Sequence, residues 1–353
     1  MIAIKQKLVR SIARFLYGTG LLGLVNRWIN AFQLVVGSHG KLAFPFVRRR
    51  RCRNVQILLY HRVNDLLDPF FCGVPTAVFD RQMGYLAEHF TPCSLETALD
   101  DLDKNDIPPN AVVVTFDDGY RDNFTHAFPI LSKYGVPATI FLATGSINGG
   151  PTLWFDRVFQ AFRETKAEVL AGYGAPKQDF PLYTQIQKVA AQTKVLDFLR
   201  SLSDEDKFAW LNILYERLKV EESVECPGLM LRWEEVRKMA KSGISMGAHT
   251  VHHPILSRIS PQQIRAEILL SKQVIEREVG MPVATFAYPN GTAGDFDGSA
   301  KLVLKEAGFR CAVTTIPGTN DSERDRLELR RGTPWDHDLA MFALRLNHYK
   351  LAS

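Results

Sequence analysis

Asp117 and Asp118 are adjacent carboxylates, followed by Gly119 and preceded by Val112-Val113-Val114-Thr115-Phe116. Three valines and a phenylalanine in sequence read as a buried strand covered on both faces. Neighbouring strand residues point to opposite faces, but a turn beginning at Gly119 brings both acids to the strand's end. Taken alone, Asp-Gly is a common turn pair. A second stretch, His249-Thr250-Val251-His252-His253-Pro254, changes the weighing. A lone histidine is usually a satisfied surface or core residue, whereas two placed four apart on a helical turn face one side and grip one ion. With one carboxylate, His249 and His253 would form a two-His, one-Asp set with positions left open for water and substrate, as a catalytic metal requires. His252 competes for the same role.

The elements that must position these residues alternate between strand and helix. Strands are expected at 55–60 (ending at His61-Arg62), 111–116, 137–142, 244–248, 283–288, 312–315 and 327–329. Helices are expected at 77–90, 95–102, 123–134, 233–241, 261–279 and 301–307. Such alternation means parallel strands with helical crossovers, and about seven repeats favour a closed or nearly closed β/α barrel. The C-terminal ends of barrel strands are where such folds place their chemistry. Between 146 and 229 the pattern changes to long helical spacings (Phe155, Val158, Phe159, Phe162; later Leu211, Leu214, Leu218) with no strand among them. This stretch reads as a helical insertion. The expected organisation is a basic amphipathic arm over 1–54, a barrel over 55–335 containing that insertion, and a C-terminal helix over 336–353.

The net charge of +5 conceals an asymmetry. Of the 43 Lys and Arg, 11 fall in residues 1–54, where there is no Asp or Glu; the remaining 32 face 38 acidic residues. The basic character therefore belongs to the arm, which argues against nucleic acid as a partner of the whole fold. Glycines 18, 20 and 23 interrupt the apolar run at 15–25, which is too short to span a bilayer. No signal-peptide cleavage pattern is evident. With Arg48-Arg49-Arg50-Arg51, the arm reads as a segment lying on an anionic membrane surface, or as a solvated or packed basic arm. Cys52, Cys72, Cys93, Cys226 and Cys311 are odd in number and lack CxxC spacing. They fit a reducing compartment, and with the arm they suggest a cytoplasmic location at the inner face of the membrane.

Thr115-Phe116-Asp117-Asp118-Gly119 followed by the His249–Pro254 stretch resembles the first two motifs of the polysaccharide deacetylases, carbohydrate esterase family 4. The similarity extends over about residues 54–335, apart from the insertion. It implies an α/β fold, a distorted seven-stranded (β/α) barrel, and metal-dependent removal of N-acetyl groups from an oligo- or polysaccharide. The cation would be divalent: zinc first, with cobalt, nickel or manganese as substitutes. By the same resemblance Asp117 would be the general base, and Asp118, His249 and His253 the metal ligands. Phe286-Ala287-Tyr288-Pro289-Asn290-Gly291 is similar to the family's proline loop, whose backbone N–H after the proline, here that of Asn290, faces the developing oxyanion. The family's arginine two places before that proline is Ala287 here, leaving Arg330 or Arg331 to brace the base. His61, ending the first strand, is a candidate for the acid or for a substrate contact. The family's late Leu-x-His letters occur at Leu346-Asn347-His348, within an apolar helical stretch. The Leu-Leu-Tyr-His-Arg opening and the Tyr-Pro-x-Gly loop look more like the family's bacterial exopolysaccharide branch. The expected substrate is thus an exopolysaccharide or its lipid-linked precursor. A small-molecule amidase and a non-catalytic carbohydrate-binding subunit are the alternatives.

Overall fold

The structure, a computed structural model, describes residues 10–11, 13–19, 54–221 and 228–351. One curled parallel sheet runs in the order β1 (Gln56–Tyr60), β3 (Ala111–Phe116), β4 (Ala138–Leu142), β7 (Ser245–Ala248), β8 (Thr285–Ala287) and β9 (Cys311–Val313). A two-residue strand, β2 (Thr91–Pro92), joins the start of β3. In register, Tyr60 lies opposite Phe116, and Phe116 opposite Ile140. With helices between the strands, the chain is a distorted β/α barrel.

Every residue of β3 is buried, so its valine run needs no polar face. Alternation divides the strand. Val112, Val114 and Phe116 join the layer under the helices, while Val113 packs with Ile57, Phe141, Ala287, Val313 and Leu329 in a second cluster. Period two then carries Thr115 and Asp117 onto the same side as Val113.

The strip Leu329–Gly332 lies between β9 and β1. Leu329 N donates to Ala312 O at 2.9 Å and Thr314 N to Leu329 O at 2.8 Å. On the other side, Gly332 N donates to Ile57 O at 2.8 Å and Leu59 N to Gly332 O at 2.9 Å. The strand expected at 327–329 therefore begins later. Arg326–Glu328 is a 3-10 turn, held by the Asp325 carboxylate accepting from Leu327 N, and pairing starts at Leu329.

Between β4 and β7 lie helices Trp154–Glu164, Gln185–Arg200 and Asp204–Leu218. They share an apolar cluster that includes Val158, Phe162, Leu170, Val195, Leu199 and Leu211. This stretch is not free of strands. An antiparallel pair, β5 (Val169–Tyr173) and β6 (Gln178–Pro181), sits within it. The two strands are short, Leu170 and Tyr173 alone among them are buried, and a register shift interrupts the alternation that would reveal them.

Residues 13–18 are helical. Ala13 is buried, Arg14 pairs with Asp338 at 2.7 Å, and the Tyr17 ring meets Tyr85. Residues 1–9, 12 and 20–53 of the arm, Arg48–Arg51 included, lie outside the described residues, as do Cys52 and Cys226. Cys72, Cys93 and Cys311 are free thiols. Among the described residues no helix is long and apolar enough to cross a membrane.

Candidate metal centre and active site

β3 delivers its carboxylates into two different environments. Asp118 adopts φ +77°, in the left-handed region, so the chain leaves the strand conformation at this residue. Its Oδ1 lies 3.4 Å from His249 Nε2 and 3.4 Å from His253 Nε2. All three side chains are buried. The expected helical turn at 249–253 does not form. Thr250 and His253 have φ of +66° and +58°, so the loop after β7 doubles back and stacks the imidazoles edge to face, with centroids 4.8 Å apart. Thr250 Oγ1 accepts from His253 N at 3.0 Å and fixes that fold. His249 Nδ1 donates to Ala287 O at 2.7 Å, which orients the ring so that Nε2 faces Asp118.

Neither Asp118 oxygen has a hydrogen-bond partner, nor does His253 Nδ1. Burial would raise Asp118, but the His249 imidazole, then His61 and His253, hold it down at about 2. Burial, then the neighbouring His249, pushes His253 down to about 3, so its imidazole is neutral. Burial works against a charge on His249, but Asp118 and Asp117 raise its pKa, so a cation would take the place of a proton at its Nε2. An ionised carboxylate, the neutral His253 imidazole and His249 Nε2, with ligand atoms all within 4.8 Å of one another, fit a divalent cation. Buried polar atoms without partners are costly unless something charged satisfies them.

Asp117 is clamped instead. Arg331 NH1 and NH2 donate to its two oxygens at 2.7 and 2.6 Å. The guanidinium also donates to Thr115 Oγ1 at 3.1 Å and to Thr314 O at 2.8 Å. Burial works against the charge on Asp117, but Arg331 holds its carboxyl below the usual carboxylate range. Of the two arginines that could take the place left by Ala287, Arg331 makes this contact. The Arg330 backbone instead exchanges hydrogen bonds with the Asn320 side chain.

His61 follows β1 at the same end of the sheet, where its charge bears on both Asp117 and Asp118. Asn290 sits in the turn after β8 with φ +56°, and its Nδ2 is buried without a partner. Gly291 follows at φ +71°, where a Cβ would come within 2.9 Å of Thr315 N, so this turn requires glycine. Leu346 accepts through its carbonyl from Gln56 Nε2, at the start of β1. That places Leu346-Asn347-His348 at the far end of the barrel from the two aspartates.

His252 points out of the site. It is exposed and its Nδ1 meets Glu267 Oε1 at 2.7 Å. Glu267, on helix Pro261–Val279, also accepts from Val251 N at 2.7 Å and His252 N at 2.9 Å. It thereby ties down the loop that carries both buried imidazoles, a role with no signal in the sequence beyond one acid on a long helix. Glu267→Ala is expected to weaken cation affinity about 10–100-fold, the range for an outer partner of a ligand. Competition against a chromophoric chelator measures it. His252→Ala should cost less, since the ring makes one of the three contacts.

A parallel barrel with buried polar donors gathered at the C-terminal ends of β3, β7 and β8 has the architecture of a barrel enzyme. The family model for polysaccharide deacetylase matches residues 104–312, and the chain belongs to that family. Among its relatives, a Bacillus subtilis protein, YxkH, whose own assignment as a polysaccharide deacetylase is provisional, is 22% identical over 295 residues, 81% of this chain and 73% of that one. The poly-β-1,6-N-acetyl-D-glucosamine N-deacetylase of Staphylococcus epidermidis is 27% identical over 210 residues, 54% of this chain and 70% of that one. Among solved structures, IcaB from Ammonifex degensii aligns with a TM-score of 0.53 at 18% identity, covering 83% of this chain and 98% of that one.

Proposed function

We propose that the chain is a metal-dependent N-deacetylase acting on an exopolysaccharide or its lipid-linked saccharide precursor, with zinc as the preferred cation. The observation that carries this is the division between two adjacent carboxylates. Asp118 faces two imidazoles without a hydrogen-bond partner, while Asp117 is held ionised by a bidentate arginine. Asp118, His249 and His253 would hold the cation. When bound, it supplies Lewis-acid polarisation of the acetamide carbonyl and a lowered pKa for water.

Asp117 accepts the proton of the attacking water on its carboxylate. Arg331 fixes its orientation, so the base is aligned before substrate arrives. The backbone N–H of Asn290 donates to the oxygen that gains charge as the carbonyl carbon becomes tetrahedral. His61 gives a proton to the departing amine. Thr250 and Glu267 keep the imidazole loop in place. The Staphylococcus epidermidis relative acts on poly-β-1,6-N-acetyl-D-glucosamine, which supports a polymeric N-acetylated amino sugar as substrate. The test is acetate release from N-acetylated oligosaccharides alongside measured metal content. Release that stops with a chelator and returns with zinc is expected; acetate released equally by metal-free protein would overturn the reading.

The arm supports a location at an anionic leaflet, where each basic residue contributes about 1 kcal/mol, within a Debye length of about 10 Å at 0.1 M salt. The full chain is expected to sediment with anionic vesicles at low salt and to be partly released at high salt. A chain lacking residues 1–54 should stay in the supernatant. Unchanged sedimentation of that shortened chain would show that the arm is not the anchor.

A further inference from the structure

Helix Trp154–Glu164 brings to the mouth a buried carboxyl that the chemistry above does not use. Asp156 receives the Tyr120 hydroxyl at 2.9 Å from each of its oxygens. Tyr120 is two residues beyond Asp118, and Phe155, the neighbour of Asp156, packs its ring on His253 with centroids 4.9 Å apart. Asp156 therefore stands beside the candidate metal centre. On its other side it lines a cleft of about 650 Å³ together with Arg62, Asp68, Phe71, Gln160 and Arg163. That volume falls within the roughly 300–1,000 Å³ of small-molecule sites. The cleft continues from the reacting end of the barrel: Arg62 follows His61, and the Phe71 ring lies 6.2 Å from His61 and 5.5 Å from Tyr120.

The lining selects among ligand classes. Arg62 is paired with Asp122 and Arg163 with Asp68, so the positive charges are already matched and an anion gains little. Burial, and then the charge of Asp118, push Asp156 up to about 7 even though the Tyr120 bond opposes them, so it offers no strong field for a cation either. One hydroxyl proton fills only part of a carboxyl's capacity, which leaves lone pairs for other donors. Leu66 and Phe71 add apolar surface beside these polar groups. Hydroxyls set among C–H faces are what such a wall suits.

We propose that this cleft is a saccharide subsite adjoining the reacting sugar, in which Asp156 accepts hydrogen bonds from ring hydroxyls of a neighbouring residue of the substrate chain. The proposal rests on the deacetylase reading, and its test separates the two. Asp156→Ala removes the contact, and Asp156→Asn keeps the shape and a partner for Tyr120. Arg163→Ala alters the cleft at a half-exposed side chain. Binding of an N-acetylglucosamine pentasaccharide to metal-free protein is measured by calorimetry, and kcat/KM is compared for pentasaccharide and monosaccharide.

About tenfold weaker pentasaccharide binding is expected for Asp156→Ala, with a smaller loss for Asp156→Asn and for Arg163→Ala. The pentasaccharide-to-monosaccharide ratio of kcat/KM should fall about tenfold in Asp156→Ala. Wild-type affinity and ratio in all three variants would overturn the subsite, as would equal losses on both substrates. Should wild-type protein release no acetate from either sugar, the deacetylase reading fails. The calorimetric series then still decides the subsite: wild-type binding weakened by the variants sustains it, and no wild-type binding refutes it.

Discussion

Asp117→Asn is expected to keep its metal and to lose turnover by about 10²–10⁴-fold, the usual contribution of a positioned general base. The amide is isosteric and still accepts one hydrogen bond from Arg331, so the clamp is weakened rather than emptied. It cannot take a proton from water. Asp118→Asn should behave differently, because Asp118 is the carboxylate that faces His249 and His253. That variant is expected to lose cation affinity first and turnover as a consequence. Metal content by mass spectrometry, measured beside acetate release, separates the two. Metal lost from Asp117→Asn but retained in Asp118→Asn would mean that the roles are reversed.

Arg331→Met should be the most destabilising single change at the site. It removes one partner of a fully buried ion pair and leaves Asp117 charged among apolar neighbours, a defect that costs about 3–5 kcal/mol. The dependence on pH identifies the cause. In the intact protein the folded-state pKa of Asp117 is depressed, so its stabilising contribution is present above the unfolded value of about 4 and is lost as pH falls through the folded value. Without Arg331, burial raises that pKa instead, and acidification relieves the defect by protonating the carboxyl. The stability gap between intact protein and variant is therefore expected to be widest at pH 7.5 and narrower at pH 5. Urea unfolding at both values measures it. A gap constant with pH would assign the loss to packing, since the Arg331 stem also fills space.

The parts of this chain legible in the sequence are those where one local rule dominates. The valine run of β3 reads as a buried strand because both of its faces are apolar. Helix Pro261–Val279 shows its ends through Ser260 with Gln263 and through Gly280, each visible in the letters. Helix Trp233–Lys241 follows from its spacing of Val236, Met239 and Ala240. The two aspartates and the His249–Pro254 stretch stand out because their residue types are unusual at strand ends. What was not legible depends on contacts between distant residues. That Arg331 rather than Arg330 reaches Asp117 is decided by the phase of the Leu329–Gly332 strip, across 214 positions. The backbone at Thr250 and His253 takes left-handed conformations that favour glycine, so spacing suggested a helix where a folded-back loop exists. Asp156 reads as an acid in the first turn of a helix, a common and bland place for one. Its burial appears only when Tyr120 and the barrel mouth are brought against it.

The Leu329–Gly332 strip has a consequence for when the protein becomes competent. Asp117 leaves the ribosome long before Arg331, and the strip that carries Arg331 is also the seam joining β9 to β1. Until that seam zips, the carboxylate has no arginine and the first and last staves have no common partner. Bracing of the base and closure of the seam are thus coupled, and a chain arrested before residue 331 would carry both aspartates with the base unbraced. The same link runs backwards in the finished protein. Any fluctuation that parts the seam releases Asp117 from its arginine, so slow amide exchange at Gly332 and Leu59 would serve as a direct gauge of how much of the population holds a braced base.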